Sequence, residues 1–235
     1  MQNDPPGDRI AVLFDVDGTL VDSNYLHTVA WYRGFKQHGK RVEMYRIHRS
    51  IGMGSDTLLE HLIGDQDRTF SEAHSEQMKQ FKGDQDAFDG AADLLREIHR
   101  RGVLVALCTS AKPDEIEHLQ DVIGAREAVD HVTGSQDVES SKPAPDIFSA
   151  TLERCGVRPE RAIAVGDTKW DIESANRSGL KCVCVLTGGS SAQELEDAGA
   201  AAVYTDVAEL LRKLDESPLG ELIRSGEPGQ QPAAH

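Results

Sequence analysis

The sequence predicts a doubly wound parallel α/β sheet, Rossmann-like, interrupted after its first strand by an inserted all-helical subdomain. Three observations carry this expectation. From residue 89 onward, short apolar runs alternate with helical patterns. The runs are near-continuous rather than alternating, as expected of strands covered on both faces. Between the first run and residue 89 lies a long stretch in which no strand is expected and helical spacing prevails.

The first run, residues 10–14 of "RIAVLFDVDGTL", is wholly apolar and ends at Asp15 and Asp17. Residues 23–88 follow. "YLHTVAWYRGFKQHG" (25–39) sets Leu26, Val29, Ala30 and Phe35 at helical spacing, and "SDTLLEHLIG" (55–64) and "SEAHSEQMKQF" (71–81) also read as helices. "GAADLLREIHRRG" (90–102) places Ala91, Leu94, Leu95 and Ile98 on one face, with Gly102 as its stop. A strand is expected in "GVLVALCTS" (102–110), then a helix in "KPDEIEHLQDVIG" (112–124), with Pro113 and acidic residues in its first turn. "VDHVTG" (129–134), "RAIAVGD" (161–167), "KCVCVLTG" (181–188) and "AAAVYTD" (200–206) read as further strands. The helices between them are "PDIFSATLERCG" (145–156), "DIESANRSG" (171–179) and one opened by a capping box, Ser191 with Glu194. "VAELLRKLDE" (207–216) closes the series. The expected division is a sheet unit of residues 9–22 and 89–225, a helical cap of residues 23–88, and flexible termini at 1–8 and 226–235.

Composition narrows the partners. Of 235 residues, 40 are acidic and 25 basic, a net charge of −15, which disfavours nucleic acid and anionic membranes. No apolar run is long enough to span a bilayer, and "MQNDPPGD" lacks the basic-then-apolar pattern of a signal peptide. The four cysteines have no metal-ligand spacing, and Cys182 and Cys184 share one strand face, so buried reduced thiols and a cytoplasmic location are expected.

Open parallel sheets bind ligands beyond the carboxyl ends of their strands. Asp15 and Asp17 follow the first strand; Thr109 and Ser110 follow the second; Asp167 and then Asp171 follow "RAIAV"; Lys142 precedes the helix at 145. Carboxylates gathered there need a cation, and oxygen ligands favour a hard ion such as Mg²⁺. With Lys142 as a second positive charge, the set suits a phosphoryl group. Asp15 is placed to attack phosphorus, Asp17 to reach the leaving-group oxygen, and Thr109 either to bond a phosphoryl oxygen or to cap the next helix.

These residues carry a resemblance. "DVDGTL", "LCTS", "SKP" and "VGDTKWD", in that order, resemble the four motifs of the haloacid dehalogenase-like hydrolases, over about residues 9–215. The helical insertion is similar to the cap of the phosphoglycolate phosphatase and β-phosphoglucomutase branch. The resemblance implies a Mg²⁺-dependent phosphatase acting through an aspartyl-phosphate on a small phosphorylated metabolite. It implies Asp15 as nucleophile and metal ligand, and Asp17 as acid/base and ligand through its carbonyl. Thr109 and Lys142 would hold the phosphoryl group, Asp167 would ligate the metal, and Asp171 would support the metal shell or Lys142. Asp17 argues against dehalogenation, because the dehalogenases lack that aspartate.

Two alternatives follow from the same residues: a β-phosphoglucomutase-like mutase, and a non-catalytic phosphometabolite-binding regulator. His27, twelve residues after Asp15, matches the mutase's hinge histidine, but Ser55 stands where the mutase pattern has arginine. The glycine turn "SIGMGSD" (50–56) is expected on the inner side of the cap, so Ser110, His27, Arg49 and Ser55 are candidate substrate contacts. Residues 33–50 carry six basic side chains, Arg33, Lys36, Lys40, Arg41, Arg46 and Arg49, against Glu43. Such a run is either a solvated face or a lure for an anionic substrate.

Overall fold

The computed structural model describes residues 9–138 and 140–226. The expected flexible termini therefore lie outside the described residues, except Gly226, which caps the last helix. In chain order the elements are β1 (Ala11–Phe14), β2 (Val21–Asp22), α1 (Asn24–Gln37), α2 (Met44–His48), α3 (Ser55–Ile63), α4 (Arg68–Gln80), β3 (Asp86–Ala87), α5 (Ala91–Arg100), β4 (Leu104–Cys108) and α6 (Pro113–Ile123). They continue with β5 (His131–Thr133), α7 (Asp146–Cys155), β6 (Ala162–Gly166), α8 (Lys169–Arg177), β7 (Lys181–Val185), α9 (Ala192–Ala198), β8 (Ala202–Tyr204), α10 (Val207–Arg212) and α11 (Pro218–Ser225).

Six strands form one parallel sheet in the order β5-β4-β1-β6-β7-β8. Strand side chains alternate faces, so each apolar run supplies two cores. Val12, Phe14, Val105, Leu107, Ile163 and Val165 pack toward α5, α6, α10 and α11. Ala11, Leu13, Ala106, Cys108, Cys182 and Cys184 pack toward α7, α8 and α9, where Phe148, Leu152 and Ile172 meet them. Residues facing both ways must be apolar, which is why the runs are unbroken. The four cysteines are free and buried, and Cys182 and Cys184 do share a face.

β1 lies at the centre, and the chain leaves it toward β4 on one side and later toward β6 on the other. That reversal of winding opens a crevice at the carboxyl end of β1. The register is level there: Phe14 pairs with Leu107 and Val165, so Asp15, Thr109 and Asp167 emerge together one or two residues past the last pair.

Helices α1–α4 occupy the stretch between β2 and β3 and bury an apolar cluster of their own, including Trp31, Phe35, Ile47, Leu58, Leu59 and Phe70. Leu26 and Val29, expected on the buried face of α1, are only half-buried; the face turned inward is Thr28, Ala30, Trp31, Gly34 and Phe35. Gly34 permits the contact, because a Cβ there would lie 3.3 Å from the backbone nitrogen of His74 on α4.

Four elements depart from the sequence reading. A strand does occur within residues 23–88: β3 pairs antiparallel with β2, Val21 opposite Ala87 and Asp22 opposite Asp86. Two charged two-residue strands carry no apolar pattern to announce them. The pair joins the two chain crossings between the sheet unit and the helices. α2 is five residues long, below the length at which periodicity can be read. α11 extends the helical series beyond residue 216 and has a local signal: Ser217 caps it, accepting from the Gly220 N–H at 3.2 Å, and Pro218 stands at its first position. Among the described residues, no helix is long and apolar enough to cross a membrane.

Candidate active site

The turn after β1 is built by its backbone. The Asp15 N–H donates to the Val165 carbonyl (2.8 Å), and the amides of Leu20 and Val21 both donate to the Val16 carbonyl (2.9 and 3.0 Å). Gly18 sits at φ +80°, in the left-handed region, and a Cβ there would collide with Asn24 and Asp167. The "DGT" sequence thus folds back so that Asp15, Asp17 and Thr19 all face the crevice.

Lys142 bridges two of the carboxylates. Its ammonium donates to Asp15 Oδ1 and to Asp171 Oδ1, the latter at 2.7 Å, and it is 2% exposed. The other oxygen of Asp171 accepts from the Thr168 hydroxyl (2.6 Å) and amide (3.1 Å), a capping box that opens α8. Of the two roles expected for Asp171, this geometry is the Lys142 contact. Thr19 Oγ1 lies 3.0 Å from Asp167 Oδ1 and 3.4 Å from Asp15 Oδ2, and Asn24 Nδ2 donates to Asp167 Oδ2 (2.8 Å).

Oxygens of Asp15, Asp167 and Asp171 lie within 4.8 Å of one another. Burial pushes the Asp15 pKa up to about 7, with Asp171 and Asp17 adding to the shift and Lys142 opposing it. Burial and then repulsion from Asp171 and Asp15 drive Asp167 well above the carboxylate range. Burial disfavours the Lys142 ammonium, but Asp15 and Asp171 more than offset this and raise its pKa. Were all three carboxyl groups ionised, one ammonium would leave two negative charges without a counter-charge, and that repulsion adds to burial in raising Asp15 and Asp167. An oxygen donor set with that imbalance fits a divalent metal ion.

Asp17 has a different environment. Its Oδ1 accepts from the Ser23 hydroxyl (2.6 Å) and meets His27 Nε2 at 3.1 Å. Burial opposes ionisation, yet His27 and Ser23 hold Asp17 down at about 2. Burial likewise works against charging His27, and Asp17 reverses that, raising its pKa. Behind His27, its Nδ1 is 3.1 Å from His74 Nε2, and His74 stacks on Trp31.

A cavity of about 200 Å³ opens above these groups, between the sheet unit and the helical insertion. Asp15, Asp17, Lys142, Ser110, His27 and Ser55 line it. Thr109 is buried beneath it, with its hydroxyl accepting from the Ala111 amide at 3.1 Å, and Asp167 and Asp171 are each 1% exposed below its floor. Arg49 does not line it: its guanidinium pairs with Glu194, and Trp170 Nε1 donates to its carbonyl (3.3 Å). Nor does any other residue of the basic run line it; Arg33 lies over the Phe81 ring. The cations at the cavity besides Lys142 are Lys79, Lys82 and Lys112. Glycine turn residues Ile51, Gly52 and Met53 do reach it.

Sequence reasoning misses Thr19, Asn24 and Ser23, although Thr19 stands inside "DGTL" and the other two open α1 directly behind it. It also misses the loop after β7. Thr187 Oγ1 donates to the Gly18 carbonyl (2.5 Å), and a Cβ on Gly188 would collide with the Asp167 carboxylate. Gly188→Ala is therefore expected to displace Asp167 and weaken divalent-metal affinity by about 10–100-fold, the usual cost of disturbing a ligand's support. Calorimetric titration of the folded variant with metal checks this.

The sequence profile of the haloacid dehalogenase-like hydrolases matches residues 11–179. The chain is 31% identical over 217 residues to protein CbbY of Cereibacter sphaeroides, covering 85% of this chain and 93% of that one. It is 28% identical over 214 residues to a phosphoglycolate phosphatase of Rhodospirillum rubrum, covering 85% and 88%. A hydrolase from Pseudomonas syringae superposes with a TM-score of 0.82 at 31% identity, over 88% of this chain and 99% of that one. A carboxylate cluster at the switch point of a parallel sheet and a family match over most of the chain agree: this protein belongs to the haloacid dehalogenase-like hydrolases.

Proposed function

We propose that this hydrolase is a Mg²⁺-dependent phosphatase that cleaves a small phosphorylated metabolite through a phosphoryl-Asp15 intermediate. One observation carries the reading: Lys142 bridges Asp15 and Asp171 beside Asp167, with Asp17 two residues beyond the nucleophile. The relative named for phosphoglycolate supports the substrate class. In this reading residues 9–22 and 89–225 form the catalytic unit, 23–88 the cap, and the β2–β3 pair the hinge. Four free, buried cysteines support a reducing compartment such as the cytoplasm.

Asp15, Asp167 and the Asp17 carbonyl would hold Mg²⁺, which supplies charge neutralisation to the phosphoryl oxygens and to Asp15. An Asp15 oxygen attacks phosphorus, and the ester P–O bond breaks. The leaving oxygen takes a proton from the Asp17–His27 pair, where it rests on the imidazole, since Asp17 is held ionised. Asp17 then accepts a proton from water, which attacks phosphorus and breaks the Asp15–phosphorus bond, releasing phosphate. Lys142 favours the ionised form of Asp15 against the effect of burial and balances the phosphoryl charge. Ser110 and Ser55, on opposite walls, contact the ester.

The test is phosphate release from p-nitrophenyl phosphate and a phosphorylated-metabolite panel. Activity is expected to vanish on exhaustive chelation and to return with Mg²⁺. Chelator-resistant turnover overturns the metal role; movement of phosphate within a sugar, without release, points to a mutase. Asp17→Asn is expected to slow alkyl phosphates by about 10²–10⁴-fold, the usual worth of general acid help. p-Nitrophenyl phosphate, whose leaving group needs little protonation, should lose much less. Equal losses on the two esters would remove the acid role.

A further inference from the structure

Asn24, the first residue of α1, touches the carboxylate cluster from beside the cavity rather than from within it. Its Nδ2 donates to Asp167 Oδ2 (2.8 Å), while Thr19 Oγ1 lies 3.0 Å from the other oxygen of that carboxylate. Asn24 is 2% exposed and does not line the cavity, so its amide is not a substrate contact there. The other end of the same amide is unexplained by the fold. Asn24 Oδ1 is buried and has no hydrogen-bond partner among the described residues. Buried polar atoms are rarely left so unless a ligand or water meets them. The surrounding hydroxyls offer it no donor, because each has one proton and each is committed: Ser23 to Asp17, Thr28 to the Asn24 carbonyl, Thr187 to the Gly18 carbonyl, and Thr19 to the carboxylates. Turning the amide over does not help. It would set the amide oxygen against Asp167, which repels it whenever that carboxylate is ionised, as a metal ligand must be. The backbone also holds the amide closely, since a Cβ on Gly18 would collide with Nδ2.

We infer that Asn24 is a positioning residue of the metal site: Nδ2 orients Asp167, and Oδ1 accepts a hydrogen bond from a water carried by the ion that Asp167 holds. The proposal rests on the metal site of the reading above. Mg²⁺ binds through one or two carboxylates and keeps several waters, and the charge of the ion makes those waters strong donors. The two ends of one planar amide lie close together, so a nitrogen on Asp167 places an acceptor beside the same carboxylate. A neutral amide does this without adding charge to three crowded carboxyl groups, where an aspartate would add to their repulsion. The contact bears on ion choice. Mg²⁺ depends on ordered waters in a strict geometry, whereas Ca²⁺ takes more oxygen ligands in a looser one. An acceptor for one retained water therefore favours Mg²⁺ over Ca²⁺.

The test is isothermal calorimetry of the full chain with Mg²⁺ and, separately, with Ca²⁺, in the absence of substrate. Wild type is compared with Asn24→Ala and Asn24→Ser, neither of which reaches Asp167 or the water. Thermal melts in chelator, expected within about 4 °C of wild type, show that each variant is folded; if Asn24→Ala is not, Asn24→Ser carries the comparison. Mg²⁺ affinity should fall by about 10–100-fold, the usual cost of disturbing the support of a metal site. Loss of the brace on Asp167 weakens both ions, so the ratio of the two affinities isolates the water contact. The preference for Mg²⁺ over Ca²⁺ should fall by about tenfold, the effect of one charge-assisted hydrogen bond. Equal losses for the two ions would reduce Asn24 to a structural brace and overturn the proposal, and unchanged affinities would overturn it as well. Failure of the metal reading itself is separable: the wild type would then bind no Mg²⁺, whereas here it binds Mg²⁺ and only the variants decide.

Discussion

Asp15→Asn is expected to lower kcat for phosphate release by about 10⁴–10⁶-fold, the range seen when a nucleophile or its essential partner is removed. The amide is nearly isosteric, and its oxygen can still accept from Lys142, but it cannot form the phosphoryl ester that the reaction needs. The variant should nevertheless be well folded. In the metal-free protein burial lifts the Asp15 pKa to about 7 from an unfolded value near 3.8, so its charge opposes folding. The sign follows from linkage: a carboxyl whose folded pKa is raised costs stability as pH rises from the unfolded toward the folded value, and the full cost is present above it. Asn carries no such charge, so with chelator at pH 7.5 the variant should melt at or above the wild-type temperature. Parallel thermal melts and phosphate assays check both halves. Wild-type-like turnover by the folded variant would remove Asp15 from the chemistry.

Lys142→Met should have the largest effect on stability. Lys142 is buried and bonded to Asp15 and Asp171, with Asp167 beside them. Deleting one partner of a buried ion pair leaves the other charges uncompensated and costs about 3–5 kcal/mol. For a protein of this size 1 kcal/mol shifts Tm by about 2–4 °C, so a fall of roughly 6–20 °C is expected in chelator. Adding Asp15→Asn to Lys142→Met should restore part of that loss, because it removes one of the stranded charges. Divalent metal should restore part as well, by supplying positive charge to the same oxygens. A melt within 2–3 °C of wild type, about 1 kcal/mol, would mean that the lysine's charge contributes little to holding these carboxylates in place.

The residues proposed to carry the chemistry are legible in the sequence because each announces itself locally. A strand that ends in "DVDG", a "TS" after "LVALC" and a "GD" after "AIAV" are features of neighbouring residues, and parallel winding brings all strand ends to one edge. Asp15, Asp17, Thr109, Asp167 and Asp171 follow from that rule, and Lys142 from its place before α7. The helix cap at Ser191 is local in the same sense. What is not legible depends on how separate surfaces meet. Arg49 and the basic run look suited to an anionic ligand, yet the residues lining the cavity are Lys82, Lys112 and His118, unremarkable in sequence. The direction of α1 is set by its packing on α4 through Gly34, which places Trp31 inward and leaves Leu26 and Val29 half-buried. Asn24 and Ser23 acquire their partners only because the first turn of α1 crosses the strand ends, and Asp171 acquires Lys142 across 29 residues of chain. The sheet, the strand-end carboxylates and the family resemblance are written in short-range pattern, since such pattern encodes burial and strand termination. Which charges are paired, which face the ligand space and which are left over is settled by the packing of one element on another, because those outcomes depend on distances that no local pattern contains.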